Sequence, residues 1–360
     1  MPPLSSPSRA AILREKQPHV ITGLEAILYS GRLPNALLFT GNWGTCKKEV
    51  AHLFAMSLNC RAPGRKDSLT EKKEALEPCM LCGSCKKRIA GMHPDVIVIS
   101  PEKDKIKIAQ IRKIYSVISS PPHEAAQRMV LVVDAHTMNP KAGNALLKIL
   151  EEPPAGTFFI LTAQDLTGLL PTIISRCRHL RFNPTPLGVL IHEFQENTGS
   201  NPDQTAIAAA TADGNVEMTR QFLNLDPVCT TDWVRRREWL ITALTRLMQN
   251  YARGITDAAP ALFLAERLAR DTGELKMILT LINTWLRDIM VMIHDPEQAI
   301  NKDFFNLLQE LVNTLPREKA PQWIKALHTA EKRITANATP RLVLECFFLE
   351  ISSAPTGYII

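Results

Sequence analysis

The stretch ALLFTGNWGTCKKEV, residues 36–50, decides the fold class of this 360-residue chain. An apolar run, a glycine-bearing turn and a helix-like segment follow one another, which is the layout of a phosphate-binding loop between a strand and a helix. Against the pattern GxxxxGK[ST], Gly41 and Lys47 match, and Gly44 adds a second glycine inside the loop. The stretch therefore predicts a nucleotide site in an α/β domain.

Two positions of that loop lack the chemistry of ATP hydrolysis. Cys46 stands where the pattern has its last glycine, and Lys48 replaces the hydroxyl residue that binds Mg²⁺. A side chain at residue 46 crowds the approach of phosphate to the backbone, and an ammonium cannot coordinate a cation. We expect a degenerate nucleotide site that has lost hydrolysis, with ATP binding by this chain left open.

A second element of such a site is the acid that reaches Mg²⁺ through water. Asp134 ends the apolar run MVLVVD and fits that role. The next position commonly holds a glutamate that orients or deprotonates the attacking water, and here it is Ala135. Because side chains alternate along a strand, we expect His136 to share the face of Asp134 but to lie one strand repeat further from the loop. We interpret His136 as a surface or strand-end histidine and expect no turnover.

Hydrophobic periodicity divides the chain into three parts. Up to residue 182, short apolar runs alternate with helix-like stretches, which indicates a parallel sheet with crossover helices. The Pro- and Gly-bearing stretch RFNPTPLG, residues 181–188, contains the first boundary, and residues 183–230 are predicted to form a smaller helical segment. Residues 231–360 have apolar side chains at helical spacing and predict an all-helical domain. The predicted strands are the runs 36–39, 96–99, 129–133 and 158–161.

The composition is that of an ordinary soluble protein, with 45% hydrophobic and 22% charged residues. No apolar leader and no uncharged membrane-spanning run are apparent, so we expect a cytosolic protein. The net charge of +6 permits contact with DNA phosphates but does not identify a nucleic-acid-binding protein. The polar stretch 61–77 is the best candidate for a flexible insertion.

Four of the eight cysteines are clustered in sequence. Cys79, Cys82 and Cys85 have CxxCxxC spacing, and Cys60 precedes them. Four thiolates make a closed tetrahedral zinc site, which favours a structural Zn²⁺ module at about residues 60–90. An iron–sulfur cluster is the alternative, but its next expected cysteine position holds Ile89.

Several strings together resemble the bacterial DNA polymerase III clamp-loader family of AAA+ proteins, and most closely its delta-prime subunits. The strings are RLPNALLFTG, MHPDVIVI, KIAQIRKI, VLVVDAHTMNPKAGNALLKILEEPP, FFILTA and LLPTIISRCRHLRF. The resemblance covers about residues 20–215, and WLRDIM and PRLVLECFFLEI extend it weakly toward the C-terminus. It implies an AAA+ α/β domain over 1–182, a small helical lid over 183–230 and a helical collar over 231–360 that joins subunits into a ring.

The resemblance also implies roles for single residues. In the SRC motif of Ser175, Arg176 and Cys177, the arginine would reach in trans to ATP bound by a neighbouring motor subunit. The alternative is that Arg176 pairs with a local carboxylate. Thr162 occupies the sensor-1 position, for which we expect a mainly structural role. The family implies the same four-cysteine zinc module.

The function expected from the resemblance is that of a clamp-loader subunit without ATPase activity of its own, within the DNA polymerase III holoenzyme. Its partners would be gamma/tau-type motor subunits and a delta-type subunit, with the sliding clamp contacted indirectly and primed DNA only within the complex. Its location would be the cytoplasmic, nucleoid-associated replisome. The alternatives are an active gamma/tau-type ATPase motor and a zinc-dependent nucleic-acid-binding protein. Ring order, stoichiometry and the clamp-contacting surface stay open.

Overall fold

The computed structural model describes residues 9–62, 76–102, 104–226, 229 and 231–352. The chain divides into two compact units, Met1–Val189 and Leu190–Ile360. The first unit contains a parallel sheet with helices, and the described part of the second is helical. The predicted insertion at 61–77 lies mostly outside the described residues.

The sheet of the first unit has five parallel strands in the order β2-β3-β4-β1-β5. This confirms the predicted parallel α/β architecture. Four strands fall on the predicted apolar runs, whereas the edge strand β5 was not predicted because its sequence RHLR has no apolar run. The strands are β1 Ala36–Thr40, β2 Val96–Ile99, β3 Arg128–Val132, β4 Thr157–Ala163 and β5 Arg178–Arg181.

Helices surround this sheet. On one face, isoleucines spaced at helical intervals in α5 pack with buried strand residues such as Val130 and Val132. Asn139 caps α6, where its Oδ1 accepts a hydrogen bond from the amide of Ala142. The helices are α1 Arg9–Lys16, α2 Pro18–Ser30, α3 Lys47–Leu58, α4 Gly83–Ile89, α5 Ile108–Ile118, α6 Pro140–Glu151, α7 Pro171–Ile174 and α8 Leu187–Thr198, which spans the division between the units.

The second unit is built around one hydrophobic core. The apolar side chains that recur at helical spacing in α13, from Ile278 to Ile289, are fully or almost fully buried, and this confirms a largely helical C-terminal region. Its helices are α9 Pro202–Thr211, α10 Val216–Phe222, α11 Trp233–Ala252, α12 Ala259–Ala269, α13 Leu275–His294, α14 Phe305–Thr314, α15 Lys319–Thr335 and α16 Pro340–Ser352, with short 3-10 turns at Thr272–Glu274, Pro296–Gln298 and Lys302–Phe304.

Helix α9 ends at a turn that contains Asp213 and Gly214. Asp213 and Gly214 both adopt positive φ angles after α9, and the side chain of Asn215 then caps α10 by accepting the amide of Met218. Side chains of α10, among them Phe222, share the core of the later helices. The separation of 183–230 as a lid and 231–360 as a collar stays a prediction.

Within the described ranges, one segment, Thr272–His294, is long and apolar enough to cross a membrane by length and composition. The sequence-based expectation overlooked it. The segment contains α13, and 61% of its most apolar window is buried inside the second unit. Burial of this kind is typical of the central helix of a soluble domain.

Candidate nucleotide and metal sites

The loop after β1 lies where parallel α/β sheets bind ligands. Strands β1 and β4 are neighbours, but the connections that follow them run in opposite directions. The connection after β1 leads to β2 at one edge of the sheet, and the connection after β4 leads to β5 at the other edge. Ligands of such sheets bind at this switch point, outside the carboxyl ends of the strands. The loop is tied to β4, because the amide of Gly41 donates to the carbonyls of Ala163 (3.3 Å) and Gln164 (3.0 Å).

The loop after β1 has two backbone positions that favour glycine. At Gly41, φ is 152° and an added Cβ would lie 2.5 Å from the carbonyl oxygen of Phe182, so only glycine fits. Cys46 has a left-handed conformation with φ of 62°, which costs a residue with a Cβ roughly 1–2 kcal/mol. Cys46 thus adopts a backbone conformation that glycine adopts more readily, and its side chain is buried.

Lys47 is folded into its own loop. Its ammonium donates to the carbonyls of Gly41 (2.5 Å) and Asn42 (2.7 Å) and to Oγ1 of Thr45 (3.3 Å). The side chain is buried, with 9% relative exposure. A phosphate that used this ammonium would have to draw it away from these oxygens.

Asp134 and Thr162 are brought together beside this loop. The hydroxyl of Thr162, near the end of β4, accepts the amide of Asp134 at 3.0 Å. The expectation that His136 lies one strand repeat beyond Asp134 was wrong. Strand β3 ends at Val132, and Ala135–Thr137 form a 3-10 turn rather than a continuing strand. Side chains in that turn do not alternate between two faces, so His136 does not sit one strand repeat beyond Asp134.

Arg176 lies at the surface, in the turn after α7. Its Nη1 donates to the carbonyl of Thr172 (3.1 Å), and its Nη2 lies 2.7 Å from Oε1 of Glu151. The two charged side chains are 37% and 45% exposed. The local carboxylate considered as the alternative partner is thus present in the isolated chain.

The other two residues of the SRC motif face different surroundings. The hydroxyl of Ser175 donates to the carbonyl of Thr172. Cys177 packs against the core of the first unit, and burial raises the pKa of its thiol to about 11. The thiol is therefore neutral near pH 7, so Arg176 is the member of the motif that can meet an anion.

The four predicted metal ligands converge in space. The sulfur atoms of Cys60, Cys79, Cys82 and Cys85 all lie within 4.8 Å of one another. A tetrahedral zinc thiolate site, with Zn–S bonds of about 2.3 Å, needs sulfur separations of about 3.8 Å. The cluster therefore fits a single metal ion, and its four thiols are not joined by disulfides.

Backbone amides prepare these sulfurs to carry negative charge. The amides of Cys79 and Cys82 donate to Sγ of Cys60 and Cys79, each at 3.4 Å. Burial alone would raise the pKa of Cys82, but hydrogen bonds from the Arg61 and Cys85 amides lower it to about 6. Burial raises the pKa of the Cys85 thiol well above its usual value, so a bound cation would be needed to ionise this thiol near pH 7.

Gln17, between α1 and α2, contacts the loop after β1 and was not predicted from the sequence as a structural residue. Its buried side-chain amide donates to the carbonyls of Asn183 (2.6 Å) and Thr45 (3.5 Å), and its Oε1 accepts the amide of Asn183 (3.1 Å). It thus joins the N-terminal helices, the loop and the segment after β5. A glutamine before Pro18 carries no recognisable sequence signal for this role.

Several DNA polymerase III subunits are similar in sequence to this chain. Residues 16–186 match the family model described as DNA polymerase III, delta subunit. The DNA polymerase III subunit delta' of Bacillus subtilis (strain 168) is 28% identical over 337 residues, or 92% of this chain and 95% of the relative. The tau subunit of Salmonella typhimurium (strain LT2) is 29% identical over 205 residues, or 56% of this chain and 30% of the relative.

A solved structure matches this chain over most of its length. It is a DNA polymerase III gamma subunit-related protein of Thermotoga maritima, with a TM-score of 0.41 and 17% sequence identity, and the match covers 92% of this chain and 98% of the Thermotoga chain.

Proposed function

The chain belongs to the DNA polymerase III clamp-loader family, and from this premise we propose that it is a non-hydrolysing subunit that supplies Arg176 in trans. The arginine would contact ATP bound by a neighbouring motor subunit while the sliding clamp is loaded onto primed DNA. A guanidinium beside the γ-phosphate stabilises the charge that develops during phosphoryl transfer. The chain would then contribute to hydrolysis without catalysing it at its own loop.

The observation that carries the proposal is the state of the loop. Lys47 is engaged by oxygens of the loop itself, and the glycine and the hydroxyl residue expected beside it are replaced at Cys46 and Lys48. Ala135 can accept no proton from water. A positioned general base contributes about 10²–10⁴-fold to a rate, so its loss alone is severe.

The proposed architecture follows the same family. The first unit would be an AAA+ module, residues 183–230 a small lid, and residues 231–360 a collar that joins subunits into a ring. The partners would be gamma/tau-type motor subunits and a delta-type subunit, with the sliding clamp contacted indirectly and primed DNA only in the complex. Soluble replisome machinery of this kind works in the cytoplasm, at the nucleoid.

We expect the isolated chain to show no ATP turnover above that of its Asp134→Asn variant. Asparagine removes the carboxylate but tolerates the left-handed conformation at this position, where φ is 52°. The measurement is release of phosphate over a titration of ATP with Mg²⁺. Turnover that disappears in Asp134→Asn would instead support an active gamma/tau-type motor.

The four-cysteine cluster is proposed to hold one structural Zn²⁺. Closed coordination by four thiolates leaves no open position for a catalytic water, so the metal would stabilise the module rather than take part in chemistry. The module is joined to the rest of the first unit, since Ser84, between two of the cysteines, hydrogen-bonds His93 just before β2.

Purified protein is expected to contain about one zinc ion per chain. The Cys82→Ser variant is expected to lose this ion, because three remaining ligands rarely retain a structural zinc. Cys346→Ser is the matched control, since Cys346 is an exposed cysteine of α16 outside the cluster. Elemental analysis measures the metal, and limited proteolysis after chelation should cut first within residues 60–92. Iron in the protein, or zinc retained fully by Cys82→Ser, would contradict the assignment.

A further inference from the structure

A single carboxylate holds the guanidinium of Arg176 on the surface of its own chain. Glu151 is the last residue of α6, and Arg176 follows the short helix α7, so the contact joins the ends of two helices. Its Oε1 lies 2.7 Å from Nη2, while Nη1 is held separately by the carbonyl of Thr172. The guanidinium is therefore anchored on one side by backbone and on the other by a charge.

The charged contact is readily exchanged. Both side chains are more than a third exposed, and ion pairs of this kind shift an equilibrium by no more than about fivefold. A triphosphate carries more negative charge than one carboxylate and offers several oxygens to the planar guanidinium. A phosphate group brought close to Arg176 can therefore displace Glu151, while the contact with Thr172 is kept.

We propose that Glu151 is a positioning residue that holds Arg176 ready on this chain until the γ-phosphate of a nucleoside triphosphate on a neighbouring subunit displaces it. The proposal rests on the function proposed above for Arg176. No covalent step is involved. The exchange replaces one Nη2 contact with another and leaves a free carboxylate at the end of α6.

The test uses Glu151→Gln in the clamp loader reconstituted with its motor subunits. Glutamine keeps an oxygen that can accept from Nη2 but removes the competing charge. Glu152→Gln is the matched control, since Glu152 is the adjacent exposed glutamate and has no recorded contact with Arg176. The readouts are the maximal ATPase rate and the concentration of this chain that gives half-maximal stimulation.

We expect Glu151→Gln to lower the half-maximal concentration about two- to fivefold without lowering the maximal rate, and Glu152→Gln to change neither. In an Arg176→Ala background, Glu151→Gln should have no effect. An unchanged half-maximal concentration, a lower maximal rate in Glu151→Gln, or the same shift in Glu152→Gln would overturn the proposal. If Arg176→Ala itself keeps the full rate, the proposed function fails first.

A second measurement needs no partner. Dicarbonyl reagents condense with the two terminal nitrogens of a guanidine, and the contact between Nη2 of Arg176 and Glu151 limits their access to one of these nitrogens. Modification of Arg176 in the isolated chain, followed by peptide mass spectrometry, is expected to be about two- to fivefold faster in Glu151→Gln than in wild type or Glu152→Gln. Equal rates in all three proteins would show that Glu151 does not hold the arginine in solution.

Discussion

Replacing Arg176 by alanine is expected to slow ATP hydrolysis about 10³-fold at the site that this arginine is proposed to contact in the assembled clamp loader. Arginine fingers supplied in trans by other phosphoryl-transfer systems contribute effects of this size, because they stabilise charge that appears only in the transition state. Single-turnover hydrolysis in the reconstituted complex measures the effect without interference from nucleotide exchange.

Two controls separate this role from a loss of structure. Arg176 makes only surface contacts, so the free energy of unfolding should change by no more than about 0.5 kcal/mol in Arg176→Ala. Arg176→Lys keeps the charge but loses the planar fork, and an intermediate rate is expected. A complex that hydrolyses ATP at the wild-type rate with either variant would rule out the finger.

Removing the carboxylate of Asp95 is expected to destabilise the first unit by about 3–5 kcal/mol. Asp95 and Arg128 form an ion pair at 3.4 Å, and neither side chain is exposed. The carboxylate also accepts the backbone amides of His123, Glu124 and Ala125 at 2.7–2.8 Å. Asp95→Ala would leave these amides and a buried guanidinium without their anion.

The guanidinium of Arg128 is buried and is held in place by backbone carbonyls, so it cannot become solvated when the carboxylate is removed. It donates to the carbonyls of Val117, in the last turn of α5, and of Ser120 and Pro121, which follow that helix. This network therefore fixes the connection that precedes β3. Hydrogen exchange of β2 and β3 amides measures the stability of this unit, and Asp104→Asn is the control at an exposed position. Equal exchange in Asp95→Ala and wild type would contradict the expected cost.

The same carboxylate predicts the pH dependence of stability. Burial disfavours its charge, but the amides of Glu124, Ala125 and His123, together with Arg128, lower the pKa of Asp95 below its usual value. Its contribution is therefore complete above the ordinary pKa of an aspartate and is lost as the pH falls through the lower pKa of the folded state. Acid unfolding should be less steep in Asp95→Ala than in wild type.

The sheet could be predicted where burial imposes apolar runs on the sequence. β1 and β4 are buried at every position and have recognisable sequences. β5 escaped prediction because an edge strand of mostly exposed residues needs no apolar run, and its pairing with β1 depends on the rest of the sheet. The turn after Asp134 was missed because its left-handed residue is an aspartate, which gives no clear signal that the strand has ended.

The types and spacing of residues in the sequence were enough to locate the candidate sites, but they did not predict the contacts that these residues make. The spacing of the four cysteines was sufficient to bring them together, since a metal site needs few ligands close in sequence. The hydrogen bonds of Lys47 inside its loop could not be read from the motif, which is equally compatible with an ammonium that faces phosphate. The partner of Arg176 is 25 residues away on another helix, so only the fold identifies Glu151.

The central claim is that this chain acts on a neighbour's ATP and not on its own. Its most direct test compares Arg176→Ala with Asp134→Asn in the same reconstituted clamp loader, by ATP hydrolysis stimulated by the sliding clamp and primed DNA. We predict that Arg176→Ala loses hydrolysis at the neighbouring site, whereas Asp134→Asn keeps the wild-type rate. Loss of hydrolysis in Asp134→Asn with full activity in Arg176→Ala would contradict it.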